Sequence, residues 1–168
     1  MQRLSMVRLI YCFFAMAFAG LCVASTGYAQ FSGGAISPSS AFSIPDAQLI
    51  QVDALRPLLR SGGAGMPLVL QVGSHVMFAQ AHIAGALYAG PGSQAGGLQL
   101  LESKVSMVPK GKPIVLYCGC CPWNHCPNVG PAYKKLRDLG FTNVKVLYLA
   151  NNFGDDWVSK GYSVEQGN

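Results

Sequence analysis

From residue 47 onward, short continuous apolar runs alternate with stretches whose apolar positions recur at three- and four-residue steps. The continuous runs, bounded by Gly or Pro, read as buried strands, and the stepped ones as amphipathic helices. Residues 68–72, between Pro67 and Gly73, and residues 113–117 are predicted strands, as is the run at 144–149. A shorter, mostly apolar segment covers 47–52, and a turn at 82–86 leads into a brief strand at Leu87 and Tyr88. Helices are predicted at 54–60, capped by Asp53 with Leu55, Leu58 and Leu59 on one face, and at 74–81, capped by Ser74. Residues 89–97 read as loop, and a helix follows over 98–108 with Leu98, Leu101, Val105 and Val108 in step. Another follows Asn128, with Val129, Ala132, Tyr133, Leu136 and Leu139 in step, and closes at Gly140. A turn at 151–154 and a short helix from Asp155 to Lys160 complete the pattern. Strands that alternate with helices imply a parallel sheet covered on both faces.

The first 45 residues do not fit this pattern. Arg3 and Arg8 precede an apolar run over 9–25, and Gly27 and Ala29 offer small residues where a signal peptidase reads. We expect a signal peptide over 1–29, cleaved after Ala29, and a periplasmic or secreted protein with no membrane association once cleaved. Residues 30–45 are rich in Ser, Gly and Ala, carry no charge before Asp46, and read as a linker to a domain over 46–168. Cleavage removes Cys12 and Cys22, and takes the net charge from +5 to +3 because Arg3 and Arg8 leave. The remaining charges are scattered, with no basic stripe of the kind nucleic acid requires.

Export changes how the other four cysteines are read, because cysteines in an oxidising compartment are paired or held reduced for a purpose. Cys118, Cys120, Cys121 and Cys126 all lie in the loop between the strand at 113–117 and the helix after Asn128. Asn128 reads as the cap of that helix, and Pro131 falls in its first turn, where a missing N–H costs nothing. The helix then aims its unpaired N–H groups at the loop, which favours a thiolate, a persulfide or a bound anion. Cys118 and Cys121 have a redox-type spacing, and Cys118, Cys121 or Cys126 could also pair as disulfides. Thiolates with His125 suit a soft metal such as zinc or copper, and the candidate ligands are Cys118, Cys121, His125 and Cys126. Trp123 has no core face assigned to it, so it either shields the sulfur, contacts a substrate or packs on the loop's prolines. No CxxCH occurs, and no cofactor is implied.

Four stretches together resemble the rhodanese, or sulfurtransferase, domain family. They are Phe78-Ala-Gln-Ala-His-Ile-Ala-Gly-Ala86, Ile114-Val-Leu-Tyr-Cys118, Leu139-Gly-Phe-Thr-Asn-Val-Lys-Val146 and Trp157-Val-Ser-Lys-Gly-Tyr-Ser-Val-Glu165. The resemblance implies a three-layer α/β domain with a central parallel five-stranded sheet flanked by helices. It implies that Cys118 takes sulfur from a small-molecule donor as a persulfide and passes it to a thiol acceptor, and the loop's own Cys120, Cys121 and Cys126 are the candidates to resolve it. A redox partner protein would then restore the thiols. His82 is expected to be structural, at the turn into the short strand, and His75 to lie on the surface.

The departures from the family lie around the loop. The helix begins about five residues later than usual, Pro122 and Pro127 each remove an N–H donor, and no Arg or Lys lies between Cys118 and Val129. Gln71-Val-Gly73 stands where Asp-x-Arg is common, and Asn151-Asn152 where Gly-Gly is. These changes weaken thiosulfate as the donor. They leave two alternatives to sulfur transfer: a zinc- or copper-binding loop, and a binding module whose loop is disulfide-stapled.

Overall fold

The structure, a computed structural model, describes residues 44–63 and 65–167. The expected signal peptide and nearly all of the expected linker lie outside the described residues. At the linker's end, Ile44 is buried in the core, because an Ile that reaches the sheet gains more by burial than by solvation. The domain therefore begins slightly before Asp46.

Five strands form one parallel sheet: β1 (Leu49–Ile50), β2 (Leu68–Gln71), β4 (Leu87–Tyr88), β5 (Ile114–Tyr117) and β6 (Val144–Leu147). Their order is β1-β6-β5-β2-β4, with Leu68 to Gln71 paired residue for residue against Ile114 to Tyr117. Side chains alternate across β5 as the pleat demands. Val115 and Tyr117 join the core under α1 (Val52–Ser61), α2 (His75–Gln80) and α5 (Phe153–Asp156), while Leu116 and Cys118 join the core under α3 (Ala95–Val105) and α4 (Val129–Asp138). All four β5 residues are buried, as expected for a central strand. A second, antiparallel pair joins β3 (His82–Ile83) to β7 (Val164–Glu165). Neither piece carries a strand signal, since each is two residues long and held by what surrounds it. No helix among the described residues is long and apolar enough to cross a membrane.

The five-stranded sheet, the helix after Asn128 and the Ser74 cap are as expected, with Ser74 Oγ accepting from Met77 N–H. Four boundaries differ. The first helix begins at Val52 with Gln51 at its cap position, so Asp53 sits inside the first turn, where its charge favours the dipole without capping. Leu58, expected on the same face as Leu55, is exposed. The third helix starts at Ala95, within the expected loop, and stops at Val105. Gly97 is helical because a Cβ there would lie 2.0 Å from the Pro91 carbonyl oxygen, so this glycine serves close packing and not a turn. The strand at 144–149 ends at Leu147, and the last helix begins at Phe153, capped by the Asn152 side chain, before a separate 3-10 turn over Val158–Lys160.

A candidate thiol site at the end of the central strand

Cys118 directly follows β5 at the carboxyl end of the sheet, where ligands of open α/β sheets bind. The sheet fixes its position: Val72 N–H donates to the Tyr117 carbonyl at 2.8 Å, and the Gln71 amide Nε2 donates to the Cys118 carbonyl at 3.4 Å. Gly119 then takes φ 76°, a conformation suited to glycine, and a Cβ there would lie 2.5 Å from Phe153 Cβ. This turn folds the loop back, so that Cys120, two residues on, returns over Cys118 with their sulfurs 3.2 Å apart. The Cys120 and Cys121 sulfurs are 2.7 Å apart, beyond the ~2.05 Å of a disulfide, and all four loop thiols are free.

Cys126 reaches the cluster from the other side, after a 3-10 turn over Trp123–His125. The sulfurs of Cys118, Cys120 and Cys126 all lie within 4.8 Å of one another. The metal-ligand set expected from the sequence, Cys118, Cys121, His125 and Cys126, is therefore not the set that converges. Cys120 replaces Cys121 because of the Gly119 turn, and His125 points into solvent from the 3-10 turn.

The expected electrostatics also move, from Cys118 to Cys126. Cys118 is buried, its thiol donates to Cys120 Sγ at 3.2 Å, and it is also hydrogen-bonded to Cys126. That hydrogen bond, followed by burial, pushes the Cys118 thiol well above its ordinary range. Cys126 is lowered to about 6, first by the hydrogen bond from Cys118 and then by the backbone N–H groups of Asn128 and Val129 at the start of α4. The helix terminus thus serves Cys126 directly and Cys118 only through it. Cys121 is pushed up to about 12, chiefly by burial. The hydrogen bond between Cys118 and Cys126 thus raises the one thiol and lowers the other.

Asn128 is not the side-chain cap expected from its place. Its own backbone is helical (φ −95°, ψ −39°), which turns the side chain away from the first N–H groups. The side chain instead joins two loops. Its Oδ1 accepts from Ser93 N–H at 3.0 Å and Ser93 Oγ at 2.8 Å, and its Nδ2 donates to Cys118 Sγ at 3.3 Å. Gly92 lets the Ser93 loop approach this closely, since a Cβ there would lie 2.1 Å from the Asn128 carbonyl oxygen. Ser93 carries no sequence signal for this role. Gln71 carries one, a polar residue ending a buried strand, and it is 2% exposed with Oε1 unpartnered among the described residues.

A cleft of about 390 Å³ opens onto Cys118, Cys120 and Cys121, walled by Met77, Phe153 and Val158. Cys126 does not line it. A separate hollow of about 10 Å³ lies behind the sulfurs, between Cys126, Trp123, Val129 and Leu149. Trp123 packs on Tyr148 with ring centroids 5.2 Å apart and closes this rear side. It takes the shielding place, away from the cleft. His82 lies apart from the site: it stacks on Phe78 at 3.8 Å and its Nδ1 meets the Phe78 carbonyl at 2.8 Å. His75 is exposed, edge-on to Tyr88.

A sequence model of the rhodanese-like domain matches residues 52–149, more than half of the chain. The chain belongs to the rhodanese-like domain family. Solved structures agree with it in fold. The BH2092 protein from Bacillus halodurans is 25% identical, with a TM-score of 0.55 over 70% of this chain and 75% of that one. The Alr3790 protein from Anabaena sp. is 21% identical, with a TM-score of 0.54 over 70% of this chain and 82% of that one. Its rhodanese-like domain in solution gives 21% and 0.51, over 71% and 79%. No curated protein matches the sequence.

Proposed function

We propose that this rhodanese-like protein is exported and transfers sulfane sulfur, with Cys118 as the residue that carries it. One observation supports this above the others. Cys118 is the thiol whose position the sheet fixes, and its neighbourhood opens on a cleft large enough for a small molecule. A nucleophile needs a fixed position and activation, whereas a resolving thiol needs only to reach it.

The chemistry balances without a cofactor. Cys118 gives its proton to the neighbouring Cys126 sulfur and attacks the outer sulfur of a hydropersulfide donor, R–S–SH. The donor's S–S bond breaks, R–S⁻ leaves and takes a proton, and Cys118 holds the sulfur as Cys–S–SH. The Asn128 Nδ2 donor lies against the same sulfur and favours its charged form. A thiol acceptor can remove the outer sulfur, which regenerates Cys118. Alternatively the Cys126 thiolate attacks Cys118 Sγ, the outer sulfur leaves as hydrosulfide, and a Cys118–Cys126 disulfide forms for a reductant protein to open. The disulfide-stapled binding module has less support, because the four thiols are free.

The test is sulfide release. Protein exposed once to an organic hydropersulfide and freed of it should release hydrosulfide within one turnover, and Cys126→Ser should keep the sulfur until an external thiol is added. Equal release from wild type and Cys118→Ser would reject the reading.

A further inference from the structure

The loop brings together more sulfur than sulfur transfer uses. One persulfide carrier and one resolving thiol suffice, yet a third thiol, Cys120, is folded onto both. Cys118, Cys120 and Cys126 form the one group of potential metal ligands that converges among the described residues. It contains no carboxylate and no imidazole.

We propose that Cys118, Cys120 and Cys126 form a three-thiolate site for a soft monovalent cation, Cu(I). Metal–sulfur bonds of ~2.3 Å in a trigonal plane place the three sulfurs ~4 Å apart. The separations here, 3.2 Å for Cys118–Cys120 and none above 4.8 Å, bracket that spacing, so small side-chain shifts complete the site. An all-sulfur set selects soft ions and rejects magnesium and calcium, which take oxygen. Zinc in a closed site takes four ligands. The fourth candidates stand farther off: His125 is exposed, and Cys121, although its sulfur is 2.7 Å from that of Cys120, lies outside the set whose sulfurs all converge on one another. Three ligands without a fourth match the coordination Cu(I) accepts.

The surroundings fit a thiolate-bound cation. Three thiolates and one Cu(I) leave two negative charges, and hydrogen-bond donors already face the sulfurs that would carry them. Asn128 Nδ2 and the Cys120 N–H meet Cys118, and the Asn128 and Val129 N–H groups meet Cys126. Such outer donors orient and tune metal ligands. Trp123, Val129, Leu147 and Leu149 close the rear, which keeps water off the ion from that side. Each ligand still protonated when it coordinates releases its proton to solvent, and no electron moves.

This inference does not depend on the sulfur reading, but it predicts a link to it: one Cys118 sulfur cannot carry a persulfide and this ion together. The experiment is an anaerobic titration of reduced mature protein with Cu(I) against bathocuproine disulfonate, using protein that has met no sulfur donor. Wild type should withhold one equivalent. Cys120→Ser and Cys126→Ser, both at half-buried positions and each checked for a wild-type melting profile, should weaken retention at least about tenfold. Cys121→Ser and His125→Ala should leave it unchanged. The copper-loaded protein should also fail to gain sulfur from a hydropersulfide until the chelator is added. The proposal is overturned if wild type yields its copper as readily as Cys126→Ser, if Cys121→Ser or His125→Ala loses it equally, if zinc displaces it, or if sulfur loads while copper stays. Loading of metal-free protein tests the sulfur reading separately, so either can fail alone.

Discussion

The side chain that most directly links scaffold and sulfur is Asn128. It is buried, its oxygen takes both donors of Ser93, and its amide N–H group donates to Cys118. Two substitutions separate these roles. Asn128→Ala leaves the Ser93 N–H and hydroxyl without their acceptor and should cost ~1–3 kcal/mol of stability, read as a lower denaturation midpoint. Asn128→Asp keeps the acceptor, so it should hold most of that stability, but it removes the donor and sets a negative charge beside the sulfur. Sulfur loading should then fall about tenfold or more, as a hydrogen bond to a charged group is worth ~1.5–3 kcal/mol. An Asn128→Asp protein that loads at the wild-type rate would remove Asn128 from the site. Sequence alone pointed to this residue for another reason. Asn before a helix is usually a cap, and only the backbone angles show that its side chain cannot reach the helix and is free for Cys118. Cys118 itself was legible, because a cysteine ending an apolar run has its place set by the sheet. The grouping of Cys120 with Cys118 was not, since it depends on the Gly119 turn.

Among the elements, α3 and the β3–β7 pair make the sharpest predictions. Replacing a helical Gly with Ala ordinarily stabilises by ~0.5–1 kcal/mol. Gly97→Ala should do the reverse, because its Cβ would meet the Pro91 carbonyl oxygen at 2.0 Å, and overpacking of this kind costs ~1–3 kcal/mol. A melting temperature at or above wild type would show that the Pro91 loop yields easily. His82→Ala should lower the melting temperature, since it deletes a buried ring stacked on Phe78 and a hydrogen bond to the Phe78 carbonyl. Sulfur loaded per folded molecule should not change, because His82 does not line the cleft. A variant that melts normally and loads nothing would make His82 part of the chemistry. Helix α4 and strands β2, β5 and β6 were legible because their patterns match their burial. The start of α3 was hidden because Gly96 and Gly97 read as loop while close packing was the reason for glycine at 97. The two-residue strands β3 and β7 have too few positions for any period to show.

At the scale of the molecule, strand–helix alternation was enough to specify a parallel sheet, and the sheet places its catalytic candidate where such folds place ligands. The loop was not legible as a geometry, because it has no period and its shape comes from Gly119, the 3-10 turn and the packing of Trp123 on Tyr148. Export belongs to this scale as well. N-terminal sequencing of protein from a secreting host should begin at Gln30, and a chain that begins at Met1 would contradict a cleaved signal peptide. The central claim is that Cys118 carries the sulfur, and peptide-level mass spectrometry after a single exposure to an organic hydropersulfide tests it most directly. Wild type and Cys121→Ser should each gain one sulfur on the peptide containing Cys118, or, where resolution has followed, show Cys118 in a disulfide, and Cys126→Ser should gain it more slowly because it lacks the sulfur that takes the Cys118 proton. Cys118→Ser should gain none anywhere. A Cys118→Ser protein that still acquires a sulfur on Cys120, Cys121 or Cys126 would contradict the account.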